Sequence, residues 1–161
     1  GRTLAWGSGG YYARLFLNVK GREPEGIIDP LDYERVRDEL AQRIAALSGP
    51  DGRPLGSVAY KPEEIYRTVN RIAPDLIVYF GDLQWRSVGS LGLGTIYTDQ
   101  NDTGPDDANH AQQGLYIYYH PRERGRGTGP RRHLVDVAPA VLDLMGVPVP
   151  EDMQGSRGLG K

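Results

Sequence analysis

The chain has no cysteine, and this removes disulfide frameworks, zinc–thiolate sites and cysteine nucleophiles at once. It says nothing about redox compartment. No run of about 18 apolar residues occurs, so no membrane-spanning helix is expected. No basic start followed by an apolar h-region opens the chain, and the expected location is cytoplasmic. A strong charge of either sign is also missing. The formal net charge of -2 argues against a protein organised around bulk binding of nucleic acid. Neither a G-x-S-x-G elbow nor a P-loop is present, which excludes the α/β-hydrolase nucleophile and Walker-type nucleotide binding.

What is abundant is glycine, with 22 residues, and proline, with 12, so the chain is loop-rich. Its 161 residues still suffice for one domain that buries roughly 70% of its unfolded surface. The chain opens at Gly1 without a Met and enters a turn and strand almost at once, so a segment cut from a longer protein is expected.

Periodicity places the elements. In Ala13–Gly21 (ARLFLNVKG), Leu15, Leu17 and Val19 alternate, which predicts a strand. Asp29–Pro30 predicts a helix start, because Asp accepts from orphan amides and Pro at the first position loses no bond. Tyr33, Val36, Leu40, Ile44 and Leu47 then form one apolar stripe, ended by the turn residues of Ser48–Gly52. Ser57–Tyr60 predicts a short strand, and KPEEIYRTV one or two helical turns. Pro74–Asp82 (PDLIVYFGD) is a continuous apolar run that predicts a strand covered on both faces, as in a parallel sheet. Residues 81–113 have no periodicity, and a loop of that length in a compact domain is functional or disordered. Gly114–His120 (GLYIYYH) predicts another strand. A final helix follows, with Leu134, Val137, Val141, Leu144 and Met145 as its stripe, Asp136 as its cap and Pro139 in its first turn. Strands alternating with helices predict a layered α/β sheet.

Four stretches are candidates for chemistry. His110 lies in a polar loop, DTGPDDANHAQQG, and is expected to be accessible. A zinc site takes about four donors. Asp99, Asp102, Asp106 and Asp107 are near in sequence, whereas His120 and His133 make no ligand pair with His110. The ordinary alternative for His110 is a surface histidine. Lys20 and Arg22, in the loop Asn18–Gly26, could contact a phosphate, since a guanidinium offers a planar fork of donors. Glu23 and Glu25 favour instead a solvated turn carrying salt bridges. The glycines of Ser87–Gly94 lack the strand and long helix that a dinucleotide loop needs. The arginines of RERGRGTGPRRH come without aromatic residues for base stacking, so they read as a solvated loop.

The segments then combine. LVDVAPAVLDLMGVPVPEDMQGS (Leu134–Ser156), with LFLNVKGREPEGII near the start and PDLIVYF in the middle, resembles the alkaline phosphatase superfamily. Within it the order of segments is similar to the type I phosphodiesterase/nucleotide pyrophosphatase group, over its C-terminal part. The resemblance implies an alkaline-phosphatase-like α/β sheet with helices on both faces, of which residues 1–161 supply the C-terminal portion of one catalytic domain.

It further implies a metal-dependent hydrolase of phosphate mono- or diesters. The cofactors would be two divalent ions, zinc first and manganese as the alternative. His110 in DDANHAQQGLYI matches the family's late histidine ligand. The early Asp ligand, the Ser or Thr nucleophile and the central Asp-His-Gly ligands have no match, and no Asp-His or His-Gly pair occurs in the chain. No nucleophile is therefore assigned, and the chain alone is expected to be inactive. Lys20, Arg22 and Trp85 lie in loops that could line a substrate cleft. The implied partner is a phosphate-ester small molecule, with no nucleic acid and no membrane. Apolar surface left open by missing parts would favour self-association. A phosphomutase or sulfatase of the same superfamily, or a non-catalytic α/β binding or assembly module, are the alternative readings.

Overall fold

The computed structural model describes residues 3–90, 92–100, 104, 108–122, 124, 125 and 127–158. It divides into two compact units, Gly1–Gly114 and Leu115–Lys161.

The first unit is an antiparallel sheet with a helix against it, an α/β arrangement. Its strands are β1 (Ala5–Ser8), β2 (Ala13–Leu17), β3 (Val58–Tyr60) and β4 (Leu76–Tyr79), in the spatial order β1-β2-β4-β3. The pairings of these four strands are all antiparallel, which corrects the parallel sheet expected from the apolar run at Pro74–Asp82. That run is apolar because β4 is the buried interior strand. Leu76 and Val78 point to the core, while Ile77, on the other face, is also buried and lies opposite Arg14 and Tyr60 in the register.

The Asp29–Pro30 start is where the sequence puts it. Asp29 Oδ1 accepts from the Leu31 N–H at 3.0 Å. The first turn, Pro30–Asp32, is 3₁₀, and α1 runs Tyr33–Ala45. The apolar stripe of α1 docks on one sheet face: Ile44, Leu40 and Ala41 pack with Ala13, Leu76 and Val78. A second cluster continues the core, with Tyr33 and Val36 against Leu17, Val19 and Ile28. The opposite sheet face carries Trp6 stacked on Phe16, and the rings of Tyr12, Tyr79 and Tyr60. The short helix α2 (Pro62–Ile65) is tied to α1 through Glu63, which holds Arg37 by two bonds.

In the second unit a 3₁₀ turn (Leu134–Asp136) leads into α3 (Val137–Leu144). Pro139 is the third residue of α3, where no intrahelical N–H is owed, and it is fully buried. Asp136 does not cap α3 with its side chain, contrary to expectation. Its carboxylate accepts from the N–H of His133 at 2.9 Å and of Ser156 at 2.7 Å, tying the tail to the start of the helix. The strand expected at Gly114–His120 is absent. Leu115 and Ile117 are 89% and 83% exposed, so the alternating apolar residues have no partner ladder to bury them. No helix among the described residues is long and apolar enough to cross a membrane.

Candidate functional site

Chemistry-bearing residues gather where β4 ends. Phe80 leaves the strand, and Gly81, Asp82 and Leu83 follow with φ of 56°, 55° and 67°. Three successive left-handed residues are rare in an L-polypeptide, because Cβ crowds the following carbonyl. Gly81 is required twice over, since a Cβ there would also meet Trp85 Cδ1 at 2.7 Å. The turn is held by its surroundings. The Leu83 side chain is buried, the Gln84 N–H donates to Gly81 O, and Trp85 N–H donates back to Phe80 O. Asn109 Nδ2 donates to Leu83 O at 2.6 Å, from a segment 26 residues further on.

This turn aims Trp85 into an open cleft of about 740 Å³. Leu47, Leu55 and Phe80 supply apolar wall, Tyr97 stands edge-on to Trp85 with ring centres 5.7 Å apart, and Asn109 is also part of the lining. The Tyr97 hydroxyl donates to Ser48 O, just beyond α1, which fastens the second wall to the helix end. Of the three residues expected to line a cleft, Trp85 does. Arg22 is engaged elsewhere, and Lys20 is exposed on its loop.

His110 follows directly on the cleft wall. Its N–H donates to its neighbour Asn109 Oδ1, and its exposed imidazole stands edge-on to Tyr11 with centres 3.9 Å apart. Arg86 places its guanidinium carbon 5.7 Å from the centre of the same Tyr11 ring. Tyr11 is positioned because Ser87 clips the preceding turn, its N–H and hydroxyl donating to Gly10 O and its Oγ accepting from Gly10 N–H. An imidazole and a guanidinium thus converge on one ring at the cleft's edge. The Arg86 guanidinium, the charged member of the two, can attract an anion.

As a metal centre the donor set is incomplete. Asp102, Asp106 and Asp107 lie outside the described residues, Asp99 lines the cleft, and no group of three or more His, Asp or Glu suited to a metal occurs among the described residues. His120 Nδ1 accepts from the Arg122 N–H, and His133 precedes the second-unit 3₁₀ turn. His110 alone fits one coordination position. The described residues do not fit a complete metal centre, and no chemical step is derived through one.

Arg22, a phosphate candidate from sequence, serves the fold. Its guanidinium grips the Asp75 carboxylate with two bonds of 2.7 Å and donates to Leu17 O. Tyr33 O–H and Leu17 N–H also donate to Asp75, and Arg37 Nε donates to its carbonyl. Burial pushes the Asp75 carboxyl up, but the donors outweigh it and hold the carboxyl below its usual range. Tyr33 is pushed up to about 12, by burial first and then by its bond to Asp75. The salt-bridged turn foreseen as the alternative for this loop is what forms. Asp75, Asn109 and Tyr11 escape sequence reasoning because each acts on residues distant in the chain. No protein-family model, curated protein or solved structure matches the chain.

Proposed function

We propose that the chain is the C-terminal part of a metal-dependent hydrolase of phosphate mono- or diesters, of the alkaline phosphatase superfamily type. The observation that carries this reading is the placement of His110. The imidazole is exposed at the edge of a cleft, beside Arg86, and Asn109 links it to the strained turn under Trp85. A neutral imidazole nitrogen there suits a divalent ion, zinc first and manganese as the alternative, and the neighbouring Arg86 guanidinium suits the ester's phosphate.

In this reading the intact enzyme has helices on both sheet faces, and the other metal ligands and the nucleophile lie outside residues 1–161. The ions would be held mainly by residues outside 1–161, with His110 as one ligand, and would supply Lewis-acid neutralisation of phosphate charge. This chain's own contribution is to offer His110 and to orient the ester in the cleft. Self-association through the open sheet face belongs to the same reading.

The test is calorimetric titration of zinc and manganese into the full-length polypeptide, wild type against His110→Ala. Loss of a tight site in the variant is the expected result. Unchanged binding returns His110 to an ordinary surface histidine and removes the support for hydrolysis. Residues 1–161 alone are expected to show no phosphodiesterase activity with either metal. Activity that His110→Ala abolishes would overturn that incompleteness.

A further inference from the structure

We propose that the cleft beneath Trp85 binds the uncharged, flat organic group of the ester, with the Trp85 ring as its principal contact. The word ester rests on the phosphate reading above, whereas the flat uncharged group is argued from the cleft itself. Its volume of about 740 Å³ is in the range of small-molecule sites. Among its described lining residues the only charged ones are Arg86 and Asp99, of opposite sign, so the cleft favours neither a polyanion nor a cation. The remaining polar lining, including Ser90, Thr95 and Gln84, is neutral and could meet a few polar edges.

Geometry selects an aromatic guest. Trp85 and Tyr97 meet edge to face, at 61° between ring planes, which is the arrangement aromatic groups prefer and to which a third ring can add. Both walls are prepared in advance. Trp85 is set by the left-handed turn that Asn109 holds, and Tyr97 by its bond to Ser48 O. A site ordered before binding loses less entropy on capture. Arg86 and Asn109 are both lining residues, and His110 follows Asn109 in the chain. The ester's charged end is therefore placed at the cleft edge while its organic group lies inside.

The experiment follows the two indole N–H signals of residues 1–161 by NMR during titration with phenol, phenyl phosphate and inorganic phosphate. Trp6, stacked on Phe16 outside the cleft, is the internal control. Saturable shifts at Trp85 with phenol and phenyl phosphate, and none at Trp6, are expected. Trp85→Leu should weaken phenyl phosphate binding about tenfold, the scale of one aromatic contact. Trp85→Phe, which keeps a ring over the turn, should retain most of it. Phenol binding with no gain from the phosphate supports the flat-group site and counts against the phosphate reading. Binding of inorganic and phenyl phosphate alike, with Trp85 unmoved, overturns the flat-group site and leaves the phosphate reading standing. No shift with any probe overturns the flat-group site as well.

Discussion

Asp75 joins three parts of the first unit through one carboxylate: Arg22 from the loop after β2, Tyr33 from α1 and Leu17 from β2 itself. It is 3% exposed. Replacing it with Ala leaves the Leu17 N–H and Tyr33 O–H without their acceptor and Arg22 without its counter-ion. Asp75→Ala is expected to destabilise by about 2 kcal/mol, the scale of leaving buried donors without an acceptor, read as a lowered urea midpoint. The pH profile follows from the signs. The Asp75 carboxyl is held low, so its contribution is present above the ordinary carboxylate range and is lost as pH falls through the depressed value. Tyr33 is raised to about 12, so its contribution is present below about pH 10, its unfolded value, and is lost between there and 12. Stability should be flat between these limits. Tyr33→Phe should remove the Tyr33 share of the alkaline limb and leave the share of Tyr79, whose hydroxyl burial also pushes up, observed by tyrosinate absorbance and unfolding together.

Among the elements, the sequence was most legible where a single periodicity met a single partner. The stripe of α1 and the alternation of β2 each have one face to bury, and both elements form, the strand ending at Leu17 and the helix at Ala45, short of Val19 and Leu47. Gly114–His120 has similar alternation but finds no neighbouring strand, because pairing is a tertiary event that local pattern does not ensure. At α3 the position of Pro139 was legible from local sterics, whereas the bond from Ser156 N–H to Asp136 was not, since it spans 20 residues. That bond needs Gly155. Its φ is +106°, and a Cβ there would stand 2.2 Å from Val135 O. Gly155→Ala should cost the tail at least about 1 kcal/mol and expose the Ser156 amide to fast hydrogen exchange. Unchanged protection of that amide would show that the tail is held by other contacts.

At the scale of the whole molecule the first unit leaves one sheet face without α1. That face carries the Trp6–Phe16 stack and the cluster of Tyr12, Tyr60 and Tyr79, and Trp6, Tyr12 and Val58 are exposed. Exposed apolar patches of this kind favour association. Concentration-dependent dimers are expected in sedimentation equilibrium, and Trp6→Glu should shift them to monomer. A monodisperse monomer at high concentration would overturn the prediction.

The amino-acid sequence alone determined the positions of α1 and β2, the interior character of β4, the Asp29 cap, and the exposure of His110. Each follows from periodicity, local sterics or the polarity of neighbours within a few residues. Only the tertiary structure decided the antiparallel order of the sheet, the capture of Arg22 by Asp75, and the approach of Asn109 to the turn beneath Trp85. Those outcomes depend on segments distant in the chain meeting in space: β2 with β4, Arg22 with Asp75 across 53 positions, and Asn109 with Leu83 across 26. The free energy of such meetings lies in burial and hydrogen bonding between segments, which no short window of sequence contains.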